Sequence, residues 1–221
     1  MRALELINYL IPPLRPADPI AKAMQWLDEL RVSEIPITVD ENFLGFVNDE
    51  IIYSNDREKQ LIEEIELVGS GCVASANDHF YEILKIASRE NCKSVAIVND
   101  NQQYLGVVTM EDVVSALSKT SSVESEGAIL VISTQSRDYY LSEICRMVEA
   151  ADAKVLGTHL VSDISDPSKL ELTLKINKSE TSYVISNLEQ NGYKVIQSFS
   201  ESAGTAHEQE RIDQLLNFLK I

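Results

Sequence analysis

The sequence predicts an α/β protein in two parts: a pair of helix, strand, strand, helix repeats, then a βαββαβ unit of ferredoxin-like order. Three observations predict it. Residues 17–52 overlay residues 77–113 at a shift of sixty positions that becomes sixty-one within one polar turn. The stretch TSSVESEG, residues 120–127, separates a small, polar composition from a new apolar run, AILVIS. Beyond it, Leu170, Leu172, Leu174 and Ile176 alternate as one face of a strand.

In the first copy Ile20, Ala23, Met24 and Leu27 fall on one helical face, and Phe80, Ile83, Leu84 and Ala87 repeat them in the same register. Asp18 before Pro19, and Asn77 or Asp78, are the start signals of these helices. Short apolar runs follow, IPIT from Ile35 and VAIV from Val95, each long enough for a buried strand. After a polar turn, LGFV from Leu44 matches LGVV from Leu105 and leads into a second helix. Extended segments ending near Pro16 and Ser75 precede the copies. One unit cannot cover both faces of its small sheet, so the two copies are expected to pack about a pseudo-twofold axis with related clefts between them.

In the last part AILVIS reads as a strand, and Leu141, Ile144, Cys145 and Val148 as a helical stripe. VLGTHLV is the next strand and the alternating leucines the one after. A helix through Val184, Ile185 and Leu188 stops at Asn191-Gly192, and YKVIQSF is the final strand. Ile212, Leu215, Leu216 and Leu219 share one face of a C-terminal amphipathic helix, expected to pack on its own domain or a dimer mate.

The formal net charge is -16, from 19 basic and 35 acidic residues, and such a surface repels nucleic acid and anionic lipid. Cys72, Cys92 and Cys145 are odd in number with no CxxC spacing, which fits reduced thiols and a cytoplasmic address. The early run ALELINYLIPPL is interrupted by Glu5 and Asn8 and ends at Pro12-Pro13 without a cleavage pattern, and no apolar segment is long enough to span a bilayer.

The stretch TMED carries the chemistry. Thr109 followed three residues later by Asp112 is a capping box, in which each side chain bonds the other's backbone N–H. The same pair suits a ligand: a carboxylate accepts two bonds from a ribose diol, while Thr109 and the N–H groups of the turn meet phosphate oxygens. The two roles are compatible. In the first copy Asn48 keeps the cap, but Ile51 offers a hydroxyl no acceptor. One good site is therefore expected around the second copy, with the first site degenerate or differently used.

The sixty-residue period and the ending GVVTMEDV resemble a tandem cystathionine-beta-synthase (CBS) domain pair, or Bateman module, over about residues 1–120. The resemblance implies a regulatory sensor of an adenine nucleotide or adenosyl metabolite (AMP, ADP, ATP or S-adenosylmethionine), forming a disc-like homodimer. On the family pattern Val95 and Ala96 place backbone near the base, and Cys72 to Ala74 edge the cleft. The following unit resembles an ACT-like domain, as in acetoin-utilisation-type regulators, where it dimerises or senses an amino acid. Its first turn here is QSRDYY, without the family's glycine, and a small-molecule site would lie near Arg137 to Leu141. The expected domains are residues 1–60 and 61–120 for the repeats, 121–127 for a linker, 128–200 for the ACT-like domain and 201–221 for the helix. A scaffolding dimer with a decayed nucleotide site is the alternative, and a client enzyme is a partner either reading allows.

Catalysis is not expected. His79, His159 and His207 stand apart, without HExxH or Cys/His ligand spacing, and neither a GxSxG elbow nor a P-loop lysine is present. Cys72 as a lone nucleophile and His79 as more than a surface residue are the weaker readings, and no cofactor or metal is required.

Overall fold

The computed structural model describes residues 1–53, 60–163 and 165–200. The chain divides into two compact units, Met1–Leu117 and Ser118–Ile221. The C-terminal helix read from residues 201–221 lies outside the described residues.

In the first unit, helix α1 (Ile20–Leu30) leads to strands β1 (Glu34–Val39) and β2 (Asn42–Asn48) and to helix α2 (Asp49–Tyr53). The second copy runs from β3 (Val73–Ser75) through α3 (Phe80–Glu90), β4 (Ser94–Val98) and β5 (Tyr104–Thr109) to α4 (Met110–Ser118). Strand β3 pairs parallel to β4, which pairs antiparallel to β5. The first copy keeps only a trace of that third strand: Leu14 bridges Ile37 in parallel, as Ala74 pairs with Ile97 sixty residues on.

The apolar stripes are placed as predicted with one exchange. Ile20, Ala23 and Leu27 are buried in α1, and Phe80, Ile83 and Ala87 in α3, but Ile86 takes the buried place read for Leu84, which is exposed. The start signals differ too. Pro19 and His79 occupy the N-cap positions, and the Asp18 and Asp78 carboxylates instead accept the N–H groups of Arg15 (2.8 Å) and Ser75 (2.9 Å), closing the turns before the helices. Exposed His79 accepts the Tyr81 N–H through Nδ1, a capping role.

The leading segment of each copy crosses to the other. The single turn Ala3–Leu6 docks on the second copy, with the Ala3 N–H donating to the Asp78 carbonyl (2.8 Å) and Leu4 to Ala76 (3.1 Å). The turn Ile62–Glu64 docks on the first, with Ile62 donating to Asp18 (3.0 Å) and Glu63 to Pro16 (2.9 Å). Buried side chains follow: Ala3, Ile7 and Ile11 share a core with Val95, Ile97 and Val107, whereas Ile62 and Ile65 share one with Ile20, Ile35 and Ile37. Gly106 and Gly45 make these crossings close. A Cβ on Gly106 would overlap Ile7, and one on Gly45 would stand 2.9 Å from the Val68 carbonyl oxygen.

The second unit runs β6 (Ala128–Gln135), α6 (Leu141–Ala150), β7 (Val155–Ser162), β8 (Lys169–Ile176), α7 (Ser182–Gln190) and β9 (Lys194–Ser200). Its sheet has the order β7-β8-β6-β9 with antiparallel neighbours throughout. Leu130, Ile132, Leu172, Leu174 and Ile176 form a core with Ile144, Val148, Val184 and Leu188. Met147 is buried where the stripe assigned Cys145, and Leu170 at the strand's open end is only half-buried. The stretch read as a linker contains a one-turn helix, α5 (Ser121–Glu124), whose Ser122 lies against Gly157 of β7. No helix of the described residues is long and apolar enough to cross a membrane.

Candidate functional site

Strand β5 ends at Thr109 and α4 begins at Met110, so the TMED stretch sits where a buried strand hands over to a helix. The reciprocal cap is formed. The Thr109 N–H donates to Asp112 Oδ2 (2.9 Å), the Asp112 N–H donates to Thr109 Oγ1 (3.1 Å), and the Thr109 hydroxyl donates to Oδ2 (2.7 Å). The crossing segment adds a third member: Asn8 Nδ2 donates to Asp112 at 3.2 and 3.3 Å, while the Asn8 N–H bonds the Val107 carbonyl (2.8 Å). In the sequence Asn8 shows itself only as a polar interruption of an apolar run, with nothing to tie it to a residue more than a hundred positions away.

The same positions of the first copy are apolar. Val68 pairs with Phe46 as Asn8 pairs with Val107, and Ile51 stands where Asp112 does. Asn48 Oδ1 accepts the Ile51 N–H at 2.9 Å, so the cap alone remains.

Two clefts related by the pseudo-twofold axis lie between the copies. The first, of 190 Å³, is lined by Arg31, Lys93, Ser94, Thr109, Met110 and Glu111, among others. The second, of 350 Å³, includes Glu34, Asn48, Glu50, Glu90, Asn91 and Lys93. Arg31 and Asn91 are equivalent residues, each closing its helix in the left-handed conformation, at φ 54° and 51°. Asparagine adopts that conformation readily and arginine does not. Arg31→Gly is therefore expected to stabilise the chain by about 0.5–1 kcal/mol in urea unfolding, while removing a cation from the first cleft.

Glu34 and Ser94 are equivalent first residues of β1 and β4, and both are buried. Lys93 donates its N–H to Glu34 Oε1 at 3.4 Å, but Oε2 is buried without a hydrogen-bond partner among the described residues. Burial pushes the Glu34 carboxyl above its ordinary pKa of 4.5, opposed by the nearby Lys93 and Ser94 groups. The folded state then holds this proton more tightly than the unfolded chain, so the contribution of Glu34 to stability falls as pH rises from 4.5 through the elevated folded value. Glu34→Gln is expected to gain urea midpoint relative to the native chain at pH 7, and the gap is expected to close towards pH 4.

The remaining predicted contributors are core residues. Val95, Ala96 and Cys72 are fully buried and Ala74 nearly so, and the Ala96 N–H bonds the Cys72 carbonyl (2.8 Å) within the sheet. On β4 it is Ser94 that lines the cleft. Burial pushes the Cys72, Cys92 and Cys145 thiols up, against a thiolate nucleophile. Among the described residues, no three His, Cys, Asp or Glu side chains are grouped to hold a metal ion.

Residues 67–119 match the CBS domain family. The CBS match takes in β3 through α4, with Thr109 and Asp112, and leaves out the first copy, where that pair is Asn48 and Ile51. No curated protein matches the chain. Its solved neighbours include CBS domain pairs. A protein from Methanocaldococcus jannaschii is 17% identical at a TM-score of 0.50, over 55% of this chain and 62% of its own. A CBS domain pair/ACT domain protein from Thermotoga maritima is 15% identical at 0.47, over 53% and 96%. CBSX2, solved in complex with AMP, is 15% identical at 0.45, over 52% and 95%. At such identities the likeness is one of fold.

In the second unit, the turn predicted to edge a ligand site contributes Asp138 and Tyr140 to a cleft of 720 Å³, together with Glu143, Lys169, Glu171 and Lys194. It carries charges of both signs.

Proposed function

We propose that the chain is a non-catalytic regulatory sensor whose first cleft takes an adenine nucleotide or adenosyl metabolite, of the class of AMP, ADP, ATP and S-adenosylmethionine. One observation carries the reading: the second copy joins Thr109, Asp112 and Asn8 into a polar cluster where the first copy has Asn48, Ile51 and Val68. The match of the CBS domain family to the second copy supports it. Thr109 and the first N–H groups of α4 face phosphate, where Arg31 and Lys93 supply positive charge. Asp112 Oδ1, which also accepts from Asn8, accepts from the ribose hydroxyls.

The cleft's 190 Å³ is below the ~300 Å³ at which ligand pockets generally begin. Accommodation therefore requires the copies to part, and the ligand prefers the opened arrangement. That preference is what a sensor transmits, here to a homodimer mate or a client enzyme.

Calorimetric titration of the four ligands against the native chain and Asp112→Ala tests this. Saturable binding that weakens about tenfold or more on removing the carboxylate is expected, since bonds to charged groups contribute about 1.5–3 kcal/mol. Unchanged binding would sink the assignment of Asp112, and no binding of any of the four would leave the scaffolding dimer as the better reading. A second reading, amino-acid sensing by an ACT-like domain, has its own support in the 720 Å³ cleft, whose lysines and carboxylates suit a zwitterion. Thermal stabilisation by amino acids alone would favour it.

A further inference from the structure

We infer that the second cleft is a binding site for a small organic cation bearing a primary ammonium group. This goes beyond the nucleotide reading and does not depend on it.

The two clefts are equivalent in position and opposite in charge. Arg31 of the first is replaced by Asn91 in the second, and Ser94 by Glu34. Among the described residues, the second cleft accordingly presents three carboxylates, Glu34, Glu50 and Glu90, against Lys93 alone. Glu90 lies at the rim, where its Oε1 accepts from Arg89 Nε at 2.7 Å. A set of acidic side chains says little by itself, because most of them simply face water.

Glu34 differs from the other two. It is 7% exposed, and its Oε2 has no hydrogen-bond partner among the described residues. Buried polar atoms are nearly always paired, and leaving one unpaired costs about 1–3 kcal/mol. Lys93 lines the same cavity, yet the bond it gives Glu34 among the described residues comes from its backbone N–H, to Oε1, with the Ser94 groups beside it. A carboxylate of this kind, on a residue that lines a cavity, is completed by a donor that comes from outside.

The charge of the lining decides which donor. A neutral donor would satisfy Oε2 but leave the surplus negative charge uncompensated, whereas an ammonium supplies three N–H groups and a positive charge together. Anions are excluded on the same ground, which separates this site from the cleft of Thr109. The 350 Å³ volume admits about a dozen non-hydrogen atoms at roughly 30 Å³ each, the size of an aliphatic diamine or an amino-acid-like amine. Val68 and Gly69 provide a short apolar floor for a methylene chain.

The test is calorimetric titration of the full chain with 1,4-diaminobutane at about 150 mM salt, which screens diffuse attraction to the acidic surface. Saturable, one-to-one binding is expected in the native chain, with Glu34→Gln about tenfold to a hundredfold weaker and Asp112→Ala unchanged. Glu50→Gln, at an exposed position, is expected to weaken binding by a smaller factor and serves if Glu34→Gln fails to fold. Equal binding by the native chain and the glutamine variants overturns the proposal, as does the absence of saturable heat. Loss in Asp112→Ala matching that in Glu34→Gln would also overturn it, by moving the amine to the other cleft.

Discussion

Gly127→Ala is expected to destabilise the second unit by about 3–5 kcal/mol. Gly127 has φ 141°, a conformation that L side chains rarely adopt, and a Cβ there would run into the backbone carbonyl of Ile176. Neither side can yield. Ala128 and Ile176 are the first pair of the β6–β8 ladder, so moving one strand end unpairs the two central strands of the sheet from that end onward. The chain's single tryptophan, Trp26, lies in the first unit and gives a separate reporter. Thermal unfolding followed by far-UV circular dichroism should show an early transition in the variant, while the midpoint of Trp26 fluorescence stays where it was. A change of less than about 1 kcal/mol would show that the ladder end is looser than described.

The second large effect distinguishes two glycines that look alike in sequence. Gly45→Ala is expected to cost about 2–4 kcal/mol and Gly106→Ala about 1–2, both read by Trp26 fluorescence in urea. Gly45 has φ 153° and faces backbone, the Val68 carbonyl, whose oxygen is held in place by the 2.7 Å bond from the Phe46 N–H. Gly106 faces only the Ile7 side chain, which can rotate away. The milder substitution bears more directly on function. Ile7 adjoins Asn8, so displacing it disturbs the bond to Asp112, and weaker nucleotide binding should accompany the loss of stability. Equal costs for the two variants would contradict the distinction between a rigid and a yielding neighbour.

Most of the secondary structure was legible because it depends on short-range periodicity. The stripes of α1 and α3 and the alternation of β8 are set by residues within a dozen positions of one another. Leu84 and Ile86 show the limit: both fit a helical face, and which is buried depends on the core that meets it. Thr109 and Asp112 could be read as a cap because a capping box is local, and the structure contains it. Asn8, Arg31 and Glu34 could not be read. Asn8 reaches the site through a crossing between copies, Arg31 through a cleft it shares with Lys93 and Thr109 of the other copy, and Glu34 through its burial beside Lys93 of the other copy. Each is a property of the pair, whereas a single copy specifies only its own helices and strands.

The crossing of Ala3–Leu6 and Ile62–Glu64 makes the repeated sequence differ from the folded half. A chain cut between Tyr53 and Gln60 would give two pieces, each with a groove shaped for an arm that the other piece carries. An isolated copy of the repeat is likewise complete only when two chains exchange arms. If the tandem arose by duplication, its forerunner was therefore a symmetric arm-exchanged dimer, and joining the copies in one chain freed the two clefts to diverge, one toward Arg31 and the other toward Glu34.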